Sequence, residues 1–200
     1  MPGSDGIRVY LLWAWWVAVA FFSVYPATNW LASQRSGTFD LYLSLELGVP
    51  LVPQFIWAYV SMYGLFLMPL FLLPSARMPA LGKQLVAGTL LSGLLFLLLP
   101  AKLGFARVLP PDPFYAGIYA MMFRIDQPYN LVPSLHLVFS AAIALACAEV
   151  AGPAVRAALL GWLAAISVST LLVHQHHALD VAAAFVLVHI LRYKLKVTHA

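Results

Sequence analysis

The amino-acid sequence predicts an all-α fold: a polytopic membrane protein built as a bundle of six transmembrane helices, with its active site at the extracytoplasmic surface. Three observations predict it. Of the 200 residues, 63% are hydrophobic and only 9% charged, with a mean hydropathy of +0.89. A soluble domain carries about 25% charged residues, so these charges are too few to cover a water-facing surface. The apolar residues also fall into six runs, and a helix needs about 20 such residues to cross a bilayer. Finally, the basic residues are divided unevenly between the connections, which sets orientation.

The first run is "VYLLWAWWVAVAFFSVYPATNWLAS", residues 9–33, without a charge. "AVA" at 18–20 resembles a signal-peptide cleavage site, yet the run continues through "FFSVYP", so a retained helix is expected. The second run covers residues 47–74, again uncharged, and the third lies near 84–99. A mixed stretch, 100–130, is rich in proline, tyrosine and charge. Three more runs follow at 132–148, 155–173 and 177–193. One domain spans residues 1–200, with a catalytic core at about 100–185 and no internal repeat. "GTLLSGLLF", residues 88–96, has small residues that favour close helix contact. The lone Cys147 permits no internal disulfide and reads as a buried small hydrophobe.

Six crossings put both termini on one side of the membrane. That side carries Arg8, Arg77, Lys83, Arg156, Arg192, Lys194 and Lys196, and the other carries Arg35, Lys102, Arg107 and Arg124. Seven basic residues against four place both termini in the cytoplasm. The tail "RYKLKVTH" then meets anionic headgroups. The short chain points to a bacterial inner membrane. The net charge of +4 is thus a topology signal, with no nucleic acid implied.

Three polar clusters fall on the outward side. "PAKLGFARVLPP" holds Lys102 and Arg107, two cations near a low-dielectric boundary that call for an anion. "DQPYNLVPSLHLVFS" holds Ser134 and His136 where a helix begins, and a helix N-terminus binds anions. "STLLVHQHHALDVAAAF" holds Ser169, Thr170, His174, His176, His177 and Asp180. His176 and Asp180 are four apart and share a helical face. A carboxylate accepting from Nδ1–H leaves Nε2 as a lone-pair donor, either base or nucleophile. Cradle, oriented imidazole and a second histidine together suit phosphoryl transfer. Each feature also has a plainer reading: His176 with Asp180 as a cap, and His174 and His177 as headgroup-region side chains, while Arg124 and Asp126 either pair with each other or line the entrance. A zinc site is conceivable from histidines and a carboxylate, but no HExxH-type helix supports it. His189 and His199 have no assigned role.

These motifs resemble the type 2 phosphatidic acid phosphatase superfamily. Its pattern has a Lys/Arg first motif, P-S-x-H, and a third motif of S-R, five residues, H, three residues, D. Here "PSLH" runs from Pro133 to His136, and Ser169, His176 and Asp180 fit the third motif. Lys102 and Arg107 fit a short first motif found in the branch that includes lipid phosphatases and relatives of inositol phosphorylceramide synthase. The resemblance covers about residues 45–190. Val108 stands where that motif has proline, and Thr170 where the third motif has arginine. Protonated His174 or Arg124 is the expected substitute for the missing guanidinium.

The resemblance implies that His176 attacks phosphorus, Asp180 orients it and His136 protonates the leaving alcohol and then activates water. It implies that Lys102, Arg107 and Ser134 hold the phosphate oxygens, with no metal and no cofactor. The expected function is a membrane lipid-phosphate phosphatase acting on a phosphomonoester or pyrophosphate through a phosphohistidine. The alternatives are a phosphotransferase with an alcohol acceptor, and a non-enzymatic lipid transporter or inactive relative. The partners are the bilayer and a lipid phosphate, and a single chain and a homodimer both remain open.

Overall fold

The computed structural model describes residues 3–35 and 37–195. Lys196 and His199 lie outside them, as does the end of the basic tail. In chain order the helices are α1 (Ser4–Ser33), α2 (Ile56–Val60), α3 (Met62–Leu65), α4 (Met68–Leu72), α5 (Met78–Leu98), α6 (Pro113–Ile125), α7 (Leu135–Val150), α8 (Pro153–Leu172) and α9 (Ala178–Lys194). The fold is all-helical, with 74% helix and no strand among the described residues. Three helices are long and apolar enough to cross a membrane: α1, the stretch Ser75–Leu98 that contains α5, and α8. The α7 helix is apolar but shorter, at 16 residues.

Two expectations are corrected. The apolar run 47–74 is not one helix. It is a limb of short pieces: 3-10 turns at Ser44–Gly48 and Pro53–Phe55, then α2, α3 and α4. Pro50, Pro53, Pro69 and Pro74 lie in this stretch. Each lacks the N–H that a continuous helix would use. The second correction concerns the mixed stretch 100–130, which contains the 13-residue α6. Asp112 caps it, its Oδ1 accepting from the N–H groups of Phe114 at 2.8 Å and Tyr115 at 3.3 Å. Pro113 occupies the first turn, where its missing donor costs nothing. The α1 and α5 helices also start earlier than expected, at Ser4 and Met78.

The α7 helix is the centre of the bundle. Ala141, Ile143, Ala144 and Cys147 are buried in the same apolar cluster as Leu85 and Phe96 of α5, Ile166 of α8 and Val188 of α9. The small-residue stretch 88–96 brings α5 close to α1: a Cβ on Gly93 would meet Cγ1 of Val24 at 2.2 Å. The outer face of α1 carries exposed Trp15, Trp16 and Phe22, each more than half accessible. A soluble monomer rarely exposes such a contiguous apolar surface. Glu149, in the last turn of α7, pairs with Arg192 and lies 3.8 Å from Arg77. Arg77 and Arg192, expected on one membrane side, thus meet at one end of the bundle.

Candidate active site

At the other end, α8 stops and α9 begins through a tight corner. The carbonyl of Thr170 accepts from the N–H groups of both Gln175, at 3.0 Å, and His176, at 3.1 Å. His174 takes a left-handed φ of 55° to close the turn. Asp180, 1% exposed, then serves two donors through one oxygen. Its Oδ2 accepts from the backbone N–H of His177 at 2.9 Å and lies 3.1 Å from Nδ1 of His176. Because a carboxylate can only accept, Nδ1 of His176 carries the proton and Nε2 holds the lone pair. The spacing of four seen in the sequence therefore becomes a direct contact.

His176 lines a cavity of about 770 Å³, and His136 lines the same cavity. It runs between α1, the broken limb, α5, α6 and α7, and its walls are predominantly apolar. His136 stacks on Tyr59 with ring centroids 3.9 Å apart. Its Nε2 lies 2.7 Å from the Tyr59 carbonyl. A carbonyl can only accept, so Nε2 carries the proton and Nδ1 is left with the lone pair. Ser134 begins α7: its Oγ accepts from the Leu137 N–H at 3.4 Å, and its own N–H donates to the Asp180 carbonyl at 3.1 Å. The "PSLH" segment and the α9 turn are thus joined through their main chains.

The remaining expected residues are dispersed. Arg107 donates to the Phe123 carbonyl at 3.2 Å and sits 4.8 Å from the Phe123 ring centroid. Its Nε is buried without a hydrogen-bond partner. Burial lowers its pKa while the charge of Asp126 raises it, so the two groups feel each other. Neither Arg107 nor Lys102 lines the cavity, and Lys102 and Arg124 are solvent-exposed. Ser169 and Thr170 are buried, and their hydroxyls donate to the carbonyls of Ile166 at 2.6 Å and Ser167 at 2.8 Å. Thr170 does not replace the arginine it stands for.

His174 does not replace it either. Its Nε2 lies 2.9 Å from the Val49 carbonyl, and its ring stacks on Phe105 at 4.0 Å. Burial lowers its pKa below the ordinary 6.5, which keeps it neutral at pH 7. Phe105 stacks on His177 at 4.5 Å, and His177 stacks on Tyr42 at 4.7 Å. Two of the three clustered histidines are therefore members of a four-ring stack that joins three connections. Glu46 completes this junction: its Oε1 accepts from the Ala178 N–H at 2.6 Å, and its Oε2 lies 3.6 Å from His177 Nδ1.

Sequence reasoning offered the entrance as one place for Asp126 but missed the α1 residues that Asp126 and Asn130 bond beside the histidines. Asp126 lines the cavity and accepts from the Tyr25 hydroxyl at 2.6 Å. Burial pushes Asp126 above its usual carboxylate range; the Tyr25 bond and the neighbouring His176 and Arg107 pull it partly back. Asn130 donates to the Tyr25 carbonyl at 2.9 Å and to Thr28 Oγ1 at 3.0 Å. Asp126 and Asn130 stood in a quoted motif, but their α1 partners lie 100 or more residues away. Among the described residues no group of three or more His, Cys, Asp and Glu side chains is placed to hold a metal ion. No family model, curated protein or solved structure matches this chain.

Proposed function

We propose that this chain is an integral membrane phosphatase that hydrolyses a lipid phosphate through a phosphohistidine, with the membrane crossed by α1, the broken limb, α5, α7, α8 and α9. The observation that carries the reading is the pairing of His176 with Asp180 in a cavity that His136 also lines. A buried imidazole with a carboxylate on Nδ1 and an open Nε2 suits nucleophilic attack on phosphorus. The apolar walls suit a lipid.

In this reaction Nε2 of His176 attacks phosphorus and the bond to the lipid oxygen breaks. His136 keeps Nε2–H on the Tyr59 carbonyl and delivers a proton from Nδ1 to the departing alkoxide. Because Nδ1 holds a lone pair in the resting site, it first takes that proton from the P–OH of the bound phosphate monoanion, and it leaves the step neutral. A water then gives its proton to Nδ1 as its oxygen attacks phosphorus, and the phosphorus–nitrogen bond breaks. Asp180 holds His176 through both steps. Arg107 and Lys102 are drawn to the charged headgroup from outside the apolar cavity, with no metal required.

The test is phosphate release from a panel of detergent-dispersed lipid phosphates with EDTA present. His176→Asn and His136→Asn should each reduce release by at least about a thousandfold. Release by His176→Asn at the wild-type rate refutes the mechanism. Phosphate release that stays slow until an alcohol acceptor is supplied identifies a phosphotransferase. No turnover with any substrate favours a non-enzymatic lipid-binding protein.

A further inference from the structure

The cavity extends far from the histidines. On α1 its wall includes Tyr10, Trp13, Val17, Phe21 and Tyr25, a spacing of three or four that forms one helical stripe. Tyr10 and Tyr25 are fifteen residues apart, or about 22 Å along a helix rising 1.5 Å per residue. That exceeds the roughly 15 Å that half a bilayer core of about 30 Å provides. The polar groups collect at one end, where Asp126, Asn130, His136 and His176 meet. Below them the walls are aliphatic and aromatic down to Met78 and Leu81 of α5. Near Tyr10 the wall is tied across, because the Tyr10 hydroxyl donates to the Phe66 carbonyl at 2.9 Å. The broken limb supplies the facing wall through Tyr59, Met62 and Phe66.

We infer that the cavity between α1 and the broken limb is a slot for the hydrocarbon chain of the substrate, holding one long unbranched or prenyl-type chain inside the protein with its phosphate at His176. This rests on the proposed phosphatase reading for the phosphate end and adds which part of the protein reads the tail. A slot of this length selects for chains that reach past the bilayer midplane. Ala18 lines it midway, where a large side chain would obstruct it. Leu12 is on the same helix, 54% exposed and outside the cavity wall, so it serves as the control position.

Two measurements test this on the full-length protein in detergent. In the first, wild type, Ala18→Trp and Leu12→Trp hydrolyse butyl phosphate and octadecyl phosphate. Ala18→Trp should lower the ratio of kcat/KM for octadecyl phosphate to that for butyl phosphate by about tenfold or more, while Leu12→Trp keeps the wild-type ratio; a wild-type ratio in Ala18→Trp overturns the slot. In the second, an octadecyl phosphonate with a diazirine at its chain terminus is photolysed on the protein, and the labelled peptides are mapped. Labelling should fall near Tyr10, Trp13 and Met78 and be lost in Ala18→Trp. Such labelling without turnover of any substrate refutes the phosphatase and leaves the chain slot standing. Labelling confined to the outer face of α1 overturns the slot, whatever the activity. Equal labelling of the interior by a phosphate-free octadecane diazirine also overturns it, as it makes the cavity a place for bulk lipid.

Discussion

The main-chain N–H of Gly104 donates to Nε2 of His177 at 3.1 Å, tying the connection after α5 to the first residue of the α9 turn. This bond makes Nε2 an acceptor and puts the His177 proton on Nδ1, toward Glu46. Phe105, the next residue, lies between the rings of His177 and His174. The approach needs a residue without a side chain, because a Cβ on Gly104 would meet the Tyr42 ring at 2.6 Å. Gly104→Ala should therefore destabilise the protein by about 1–3 kcal/mol through overcrowding. The thermal midpoint in detergent measures it, and an unchanged midpoint would show that the ring stack can relax without cost.

Asp180→Asn removes the negative charge that holds Nδ1–H of His176. An amide there can present N–H to the imidazole and favour the wrong tautomer. Turnover should fall by about a hundredfold to ten-thousandfold, with the larger effect on kcat. Circular dichroism and the thermal midpoint check that the corner from α8 to α9 survives. Activity within twofold of wild type would remove Asp180 from its orienting role.

Tyr25→Phe removes the only hydrogen-bond donor recorded for the Asp126 carboxylate among the described residues. A buried carboxylate stripped of such a partner costs about 1–3 kcal/mol. Since that bond also lowers the Asp126 pKa, the variant should hold its proton to higher pH. A titration of stability for wild type, Tyr25→Phe and Tyr25→Phe/Asp126→Asn reads both effects. The double variant should recover part of the loss at neutral pH.

His174 supplies a pH dependence of known sign. Its folded pKa lies below the ordinary 6.5, so the unfolded chain binds its proton more readily. Its contribution to stability is complete above pH 6.5 and is lost as pH falls through the interval between the unfolded and folded values. His174→Asn retains a residue type that tolerates the left-handed φ of 55°. Thermal midpoints at pH 7.5 and pH 5 should therefore differ less in His174→Asn than in wild type. An unaltered difference would assign the acid sensitivity to other groups.

How much was legible in the sequence differs by element. The helices α7, α8 and α9 begin and end within three residues of the apolar runs that predicted them, because each run is bounded by a proline, a glycine or a polar cluster. The limb 47–74 is apolar enough to predict one helix, yet four prolines lie in it and the structure is in short pieces. The α6 helix was overlooked although Asp112 and Pro113 form a recognisable start. The contact between His176 and Asp180 was legible because it is local. The pairing of Tyr25 with Asp126 was not, since it depends on how α1 packs. Lys102 and Arg107 stand close in sequence, but their surroundings differ: one is exposed, the other half-buried against Phe123. Spacing in an irregular connection does not fix side-chain direction.

The interruption after α2 has a chemical outcome of its own. In an uninterrupted rod the oxygen of Tyr59 would be consumed by the amide one turn onward. Here that oxygen greets His136 instead. A main-chain atom thereby selects which nitrogen of an imidazole is available for proton traffic. Side-chain replacement at Tyr59 alone would leave that selection in place, and only an alteration of the limb's path would undo it.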